Sequence, residues 1–371
     1  MTLFHNLGII YYLLPSIDVI YNKIVLLFSI LIGSKKFHLK VKGHVINFHS
    51  SKFMLMMAFL GVLLYSTSFK ITSDRKIELT LDLRNTFSIP LDNMSYEDEN
   101  LIKTLFEGSK YGANFETSNI DFTDFRDKTL VITEQNGKKI VKTSEGIKFY
   151  IDSIHPGNTI GEAFVRDIHT IRKKDDFTDK IVVDVGAECG DTPLYYASRG
   201  AKVFAFEPMK AHFDAMIRNL SLNPELAKRI IPINAAIGKD GMLKFYHSNK
   251  DDIAGRSSFV YNAHGNEVTV FDNVQGYTLS SAIREFKIPH IDILKTDCKG
   301  CEFYLTKDDL EKVDQVKIEY ECFKVTKHSL TELTKVLDDS GFKYMLYRIN
   351  PTRDRYSNLI CGHLFGKKTK S

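Results

Sequence analysis

The chain has 371 residues, 43% hydrophobic and 26% charged, with a formal net charge of +4. That length suits two domains, or one large domain with an appendage, and the composition excludes disordered and collagen-like classes. So small a charge leaves no basic footprint for nucleic acid, and five cysteines in a long chain do not make a secreted disulfide framework.

The first residues, MTLFHN, lack the basic region of a signal peptide, so a cytoplasmic location is expected. Residues 7–33 are the most apolar stretch, but Pro15, Asp18, Asn22 and Lys23 interrupt it. A membrane span needs about 20 predominantly apolar residues. A second apolar run, FMLMMAFLGVLLY (residues 53–65), has the length of a buried helix. Both runs are expected to be core helices. The alternative is peripheral membrane or partner contact through residues 7–65, helped by Lys35, Lys36, Lys40 and Lys42.

Residues 1–145 read as a smaller α+β domain. FHLKVKGHVINF alternates like a strand pair with a turn at Gly43. SYEDENLIKTLFEG reads as a helix capped by Ser95, with acids in its first turn and its end at Gly108. In TLVITEQNGKKIVK, Asn136-Gly137 between two strand-like runs signals a hairpin. A second domain is expected over residues 146–371. It opens on IHPGNTIGEAFVRDIHTI, a helix whose Glu162 or Arg166 would reach a substrate, with His155 and His169 as packing residues.

From residue 181 strands alternate with helices. KIVVDVG is a continuous apolar run, as in a strand buried on both faces. DTPLYYASRG follows as a helix, with Thr192 placed to cap it, Pro193 in its first turn and Gly200 after it. AKVFAFEP is a strand, and KAHFDAMIRNLSLNP a helix ended by Asn223-Pro224. RIIPINAAIG, IDILKTD and VKIEYEC are three further strands, and FKYMLYRI with NLICGHLFGK a closing hairpin. The pattern predicts an α/β fold with a doubly wound, mostly parallel seven-stranded sheet and an antiparallel edge strand.

Ligands of such sheets sit outside the carboxyl ends of the strands, near the switch point. Asp184 and Gly186 stand there after the first strand, and Gly190 lets a ligand approach the backbone. Glu207 ends the second strand, the place from which a carboxylate binds ribose hydroxyls. A pyrophosphate would face Glu188 and Asp191. Two like charges about 4 Å apart repel by about 4 kcal/mol at an effective dielectric near 20. S-adenosylmethionine carries ribose and adenine without phosphate, and its sulfonium and ammonium would be attracted by the same acids. It is the expected cofactor.

VVDVGAECGDTPLYYASRGAKVFAFEP, followed by INAAIGKDG and DILKTDCKGCEFYL, resembles the FkbM family of S-adenosylmethionine-dependent methyltransferases over roughly residues 180–342. The most specific part is Leu294, Lys295, Asp297, Gly300 and Glu302. Cys298 and Cys301 depart from the usual residues, and Lys299 stands where an acid is usual. The fifth strand runs Glu319-Tyr320-Glu321-Cys322, without the histidine often seen there.

The resemblance implies a class I methyltransferase. Asp184, Gly186, Glu188 and Gly190 would then hold the amino-acid side of the cofactor and Glu207 its ribose. Asn234, Ala235 and Ala236 would line the adenine. Asp297 would be the base for a hydroxyl acceptor, with Lys295 orienting it, or simply ion-paired, and Glu319 as a second substrate-side group. Glu302 is read either as functional or as a helix-start acid. The acceptor would be a small molecule, a sugar or a lipid-linked compound, and O-methylation its reaction. Three alternatives compete: a nicotinamide-dependent oxidoreductase or epimerase, a non-catalytic interaction protein, and thiol or zinc chemistry at Cys298 and Cys301, with no metal site expected. The loop at residues 248–266 is expected to wall the pocket.

Overall fold

A computed structural model describes residues 22, 25–26, 29–30, 33–81, 85–110, 114–116, 129–165, 168–169, 176–247, 270–322, 327–347 and 361–369. Most of the first apolar stretch, Arg166 and the loop 248–266 lie outside them. The chain divides into two units, Met1–Arg166 and Asp167–Ser371. The boundary falls after the expected 145/146, because residues 146–165 pack with the first unit.

In the first unit β1 (Lys36–Val41) and β2 (His44–His49) pair antiparallel. Lys42 and Gly43 turn between them at φ 44° and 83°, the positive values that a tight hairpin turn requires. The apolar run forms α1 (Phe53–Tyr65), with every residue from Leu55 to Leu63 buried. A helix apolar all round is an interior helix. No helix of the described residues is long and apolar enough to cross a membrane. β3 (Ser68–Ile71), β4 (Lys76–Leu81) and β5 (Asn85–Pro90) make an antiparallel sheet.

α2 (Tyr96–Lys110) starts where Ser95 Oγ accepts the Asp98 amide at 3.1 Å. It runs past Gly108, the residue expected to end it. A Cβ on Gly61 would lie 2.2 Å from the Phe106 ring, so α1 closes on α2 at that glycine. β6 (Asn114–Glu116), β7 (Thr129–Gln135), β8 (Lys138–Lys142) and β9 (Lys148–Tyr150) form a four-stranded sheet. Its β7–β8 turn is the expected Asn136-Gly137 hairpin. A π-type helix, Gly157–Val165, completes the described part of the unit.

The second unit follows the alternating pattern: β10 (Ile181–Val185), α3 (Asp191–Ser198), β11 (Lys202–Phe206), α4 (Lys210–Ser221), α5 (Pro224–Ala227) and β12 (Ile230–Ile233). The single strand expected over RIIPINAAIG is split. Its second half, β13 (Ala236–Ile237), joins β14 (Gly241–His247) and β15 (Val270–Tyr277) in a separate three-stranded sheet. Then come α6 (Leu279–Glu285), β16 (Ile291–Thr296), β17 (Val313–Glu321), α7 (Leu330–Asp339), β18 (Phe342–Tyr347) and β19 (Cys361–Lys368).

The main sheet has seven strands in the order β12-β11-β10-β16-β17-β19-β18. All neighbours are parallel except around β19, which is antiparallel to both β17 and β18. The antiparallel strand is thus one place in from the edge, not the edge itself. The glycines of β19 explain this. A Cβ on Gly362 would lie 2.7 Å from the Tyr320 hydroxyl, and one on Gly366 2.9 Å from Val316. Small residues let this strand fit between two neighbours, with Leu364 fully buried. One face of the sheet, including Val183, Leu294, Val316 and Ile318, packs with α6 and α7 residues such as Ile283 and Leu333. The side chains between them on the strands put Asp184, Lys295 and Lys317, neighbours in register, on the opposite face. Chain order reverses between β10 and β16, and the switch point lies at their C-terminal ends.

Candidate functional site

β10 enters α3 through a turn with Gly186 at φ 81°, Glu188 at φ 45° and Gly190 at φ 87°. A Cβ on Gly186 would lie 2.0 Å from the Asp297 carbonyl oxygen. The turn therefore touches the loop after β16 with no room for a side chain. Gly186→Ala is expected to destabilise this unit by about 2–4 kcal/mol, since left-handed strain alone costs of order 1–3 kcal/mol; chemical denaturation measures it. Gly190 serves a different contact from the one expected. Its absent Cβ makes room for Met216 of α4 at 2.9 Å.

Between this turn, the end of β11 and the loop after β16 lies a cleft of about 560 Å³, part of it open to solvent. Its walls carry three carboxylates, Glu188, Glu207 and Asp297, against the cation Lys299 and the ring of His212. Glu207 is 3% exposed. Its Oε2 accepts the Glu188 amide at 2.9 Å and its Oε1 the Met209 amide at 2.8 Å. A carboxylate has about four acceptor positions, so capacity remains toward the cleft. His212 Nδ1 lies 3.6 Å away. Burial raises the Glu188 carboxyl above its ordinary range, and the neighbouring His212 only partly offsets this. Its Oε1 has no hydrogen-bond partner among the described residues. Asp191, buried at the start of α3, is pushed up to about 7 by burial and then by Glu188.

Asp184 and Lys295 lie behind the cleft rather than in its wall. Asp184 is fully buried and Lys295 is 3% exposed, with Lys295 Nζ 2.9 Å from Asp184 Oδ1. Lys295 also donates to the Gly186 carbonyl at 2.9 Å. Thr192, expected to cap α3, instead donates its hydroxyl to Asp184. The helix is capped at Gly190, with no side-chain cap. Burial and the Asp184 charge compete over Lys295, and the charge wins, raising its pKa. The ordinary ion-pair reading of Lys295 is the one the geometry matches.

Asp297 stands at the other side of the cleft. Burial opposes its ionisation, but Lys299 and then Lys295 outweigh burial and hold it at about 2. Lys299 Nζ is 3.5 Å from Asp297 Oδ1 and 3.8 Å from Glu321 Oε1. Cys298 and Cys301 are joined by a disulfide across this loop. Glu302, 1% exposed, braces it from behind, accepting the Gly300 amide at 2.8 Å and the Glu321 amide at 3.0 Å. Burial pushes Glu302 up to about 7.

Of the expected adenine wall, Ala236 lines the cleft, joined by Ile237, Met209 and Phe245. Asn234 instead donates to the carbonyls of Glu207 and Pro208 at 2.8 and 3.0 Å, and Ala235 is buried. Glu319 is outside the cleft wall, partly exposed, with its Oε2 3.7 Å from His363 Nδ1. The sequence reading missed Met209 and His212, although both follow the strand-ending Glu207 within five residues. Phe245 had no signal, because β14 belongs to a sheet that no motif announces.

Lys317, next to Lys295 in register, faces a second cavity lined also by His169, Lys180, Tyr196 and Phe365. His169 Nδ1 is 2.5 Å from its Nζ. Burial, then the Lys295 charge, lower its pKa from 10.5 to about 7. The unfolded chain thus binds this proton more tightly than the native one does. The destabilisation is complete below about pH 7 and fades as pH rises toward 10.5. Lys317→Met is expected to raise the thermal midpoint at pH 6 by several degrees, at about 2–4 °C per kcal/mol. The gain should shrink by pH 9, which thermal scans in matched buffers check.

In sequence, no curated protein matches the chain. Among solved structures, precorrin-6y C5,15-methyltransferase from Geobacter metallireducens is similar at 10% identity, with 53% of this chain and 82% of that one covered and a TM-score of 0.31. An rRNA methylase from Streptococcus thermophilus shares 14% identity over 53% and 89% of the two chains, with a TM-score of 0.33. TYW2 of M. jannaschii, in complex with AdoMet, shares 15% over 66% and 90%, with a TM-score of 0.32. The model of the methyltransferase FkbM domain matches residues 184–344, from the Asp184 end of β10 into β18. Those residues, somewhat less than half of the chain, match the methyltransferase FkbM domain.

Proposed function

We propose that this protein is an S-adenosylmethionine-dependent O-methyltransferase of the doubly wound class I type, acting on a small-molecule, sugar or lipid-linked hydroxyl. The observation that carries the cofactor assignment is the Glu188 Oε1 atom, without a hydrogen-bond partner among the described residues, in a cleft that also holds Glu207 and Asp297. An orphan carboxylate oxygen suits a cationic or hydrogen-bond-donating ligand and repels a diphosphate. Bound there, S-adenosylmethionine would supply an electrophilic methyl group on a sulfonium.

Each wall residue then has a role. Glu207 takes the ribose hydroxyls on its remaining acceptor positions. Glu188 faces the ammonium end, beside Gly186. Ala236, Ile237, Met209 and Phe245 give the adenine an apolar slot. Asp184 and Lys295 position the β10 turn from behind, Gly190 closes α3 onto α4, and Asn234 with Ala235 fixes the end of β12. Asp297 puts a fixed negative charge beside the cleft without serving as a base. Lys299 and Lys295 hold its carboxyl well below the ordinary range, which weakens it as a base. Glu319 lies on the acceptor side.

Calorimetric titration with S-adenosylmethionine, S-adenosylhomocysteine and NADH tests the cofactor. Micromolar binding of the first two and none of NADH supports the proposal. Binding of NADH alone would replace it with the oxidoreductase reading. Methyl transfer to methyl glycosides, phenols and hydroxy acids then narrows the acceptor.

A further inference from the structure

Three strands bring three titratable side chains to one level on one face of the main sheet. Lys295 of β16 is in register with Lys317 of β17; Glu319 lies two residues farther along β17, and Asp297 immediately follows the last residue of β16. Glu319 is in turn in register with His363 of β19. Adjacent strands are about 4.8 Å apart, so two strand spacings, about 10 Å, separate the backbones of His363 and Asp297, a gap that their side chains reach across. His363 is partly buried, 16% exposed at the side chain, and its Nδ1 lies 3.7 Å from Glu319 Oε2. At that separation Glu319 and the ring form a charge pair rather than a hydrogen bond, which favours the Nδ1–H tautomer, with Nε2 as the proton-accepting nitrogen.

We propose that His363, oriented by Glu319, is the base that takes the proton of the acceptor hydroxyl. This rests on the methyltransferase reading and deepens it. The acceptor O–H bond breaks with its proton going to His363 Nε2. The freed oxygen pair forms the new bond to the methyl carbon of S-adenosylmethionine, and the carbon–sulfur pair stays on sulfur, leaving a neutral thioether. Asp297, whose carboxyl a charged His363 also helps to lower after Lys299 and Lys295, stabilises the imidazolium that forms. Glu319 is a positioning residue. The groups facing His363 are Glu319, Glu321 and Lys317 from β17, Asp297 and Lys299 from the loop after β16, and Cys361 on its own strand; its register partner on β18 is Tyr347. Acids outnumber the two lysines at this rim, which favours a protonated ring at the end of the step.

The test compares wild type with His363→Gln and Glu319→Gln, and with His363→Asn should glutamine upset β19. Binding of S-adenosylhomocysteine should stay within twofold in all of them. If wild type itself fails to bind, the methyltransferase reading fails and takes this proposal with it. For a panel hydroxyl that wild type methylates, His363→Gln should lower kcat by about 10²–10⁴, the usual worth of a general base, and abolish the acid limb of the pH profile. Unchanged kcat and pH profile with intact cofactor binding overturn the base assignment alone. If no panel member is methylated, a ¹⁵N-histidine NMR titration decides. The His363 ring should titrate between pH 5 and 8, with a midpoint at least half a pH unit lower in Glu319→Gln. A ring that does not respond to that substitution overturns the proposal.

Discussion

Glu207→Gln is expected to weaken S-adenosylmethionine binding by about a hundredfold or more, although the side chain keeps its shape. Each oxygen of Glu207 accepts one backbone amide, from Glu188 and from Met209. An amide side chain offers only one acceptor atom, so one of these N–H groups would meet an NH₂. Hydrogen bonds to charged groups contribute about 1.5–3 kcal/mol each, and an unmatched buried donor costs a similar amount. Every 1.4 kcal/mol is tenfold in affinity. Losing one brace of the Glu188 turn together with one contact to the ribose therefore reaches two orders of magnitude. Glu207→Asp keeps the charge but shortens the reach, and should fall between the two. Calorimetry at one fixed salt concentration measures all three proteins. A loss smaller than threefold in Glu207→Gln would remove Glu207 from the cofactor site.

The legible parts of this protein are those where local chemistry and tertiary role coincide. The apolar runs at Val182–Val185 and Ile293–Leu294 can only be interior strands, and Asn136-Gly137 can only turn. Glu207 at the end of an apolar strand announced the cleft, and Glu188 announced its charge. What escaped the sequence is what depends on neighbours far along the chain. Nothing local distinguishes Asp184, fully buried in an ion pair, from a carboxylate open to a ligand. Its partner Lys295 arrives from a strand more than a hundred residues later. Thr192 looked like a helix cap because hydroxyls at helix starts usually are caps; the buried Asp184 claimed it instead. The place of β19 was hidden for the same reason. Its fit between β17 and β18 depends on glycines meeting Tyr320 and Val316, a pairing that its own alternation does not reveal. His363 gains its meaning only through that placement, since register with Glu319 is what brings it to the rim.

The second large effect concerns the pair behind the cleft. Lys295→Met is expected to destabilise the unit by about 3–5 kcal/mol, the usual cost of leaving one buried charge without its partner. Asp184 would remain fully buried with only the Thr192 hydroxyl, and the Gly186 carbonyl would lose its donor. Burial already raises the Asp184 carboxyl, with Lys295 as the chief opposing influence. Without Lys295 that carboxyl takes up a proton, and the variant should become relatively more stable as pH falls. The sign follows from linkage: a native pKa above the unfolded one means that stability is gained below the native value and lost as pH rises through it. Asp184→Asn combined with Lys295→Met removes both charges, and should recover more than half of the loss, because a buried ion pair contributes little beyond cancelling its own desolvation. Urea denaturation of the four proteins of this cycle at pH 5.5 and pH 8 measures the coupling directly. The coupling energy should be at least about 2 kcal/mol at pH 8 and smaller at pH 5.5. A loss in the double variant equal to the sum of the two single losses would mean that Asp184 and Lys295 hold the β10 turn independently, and that the ion pair does not position the cleft.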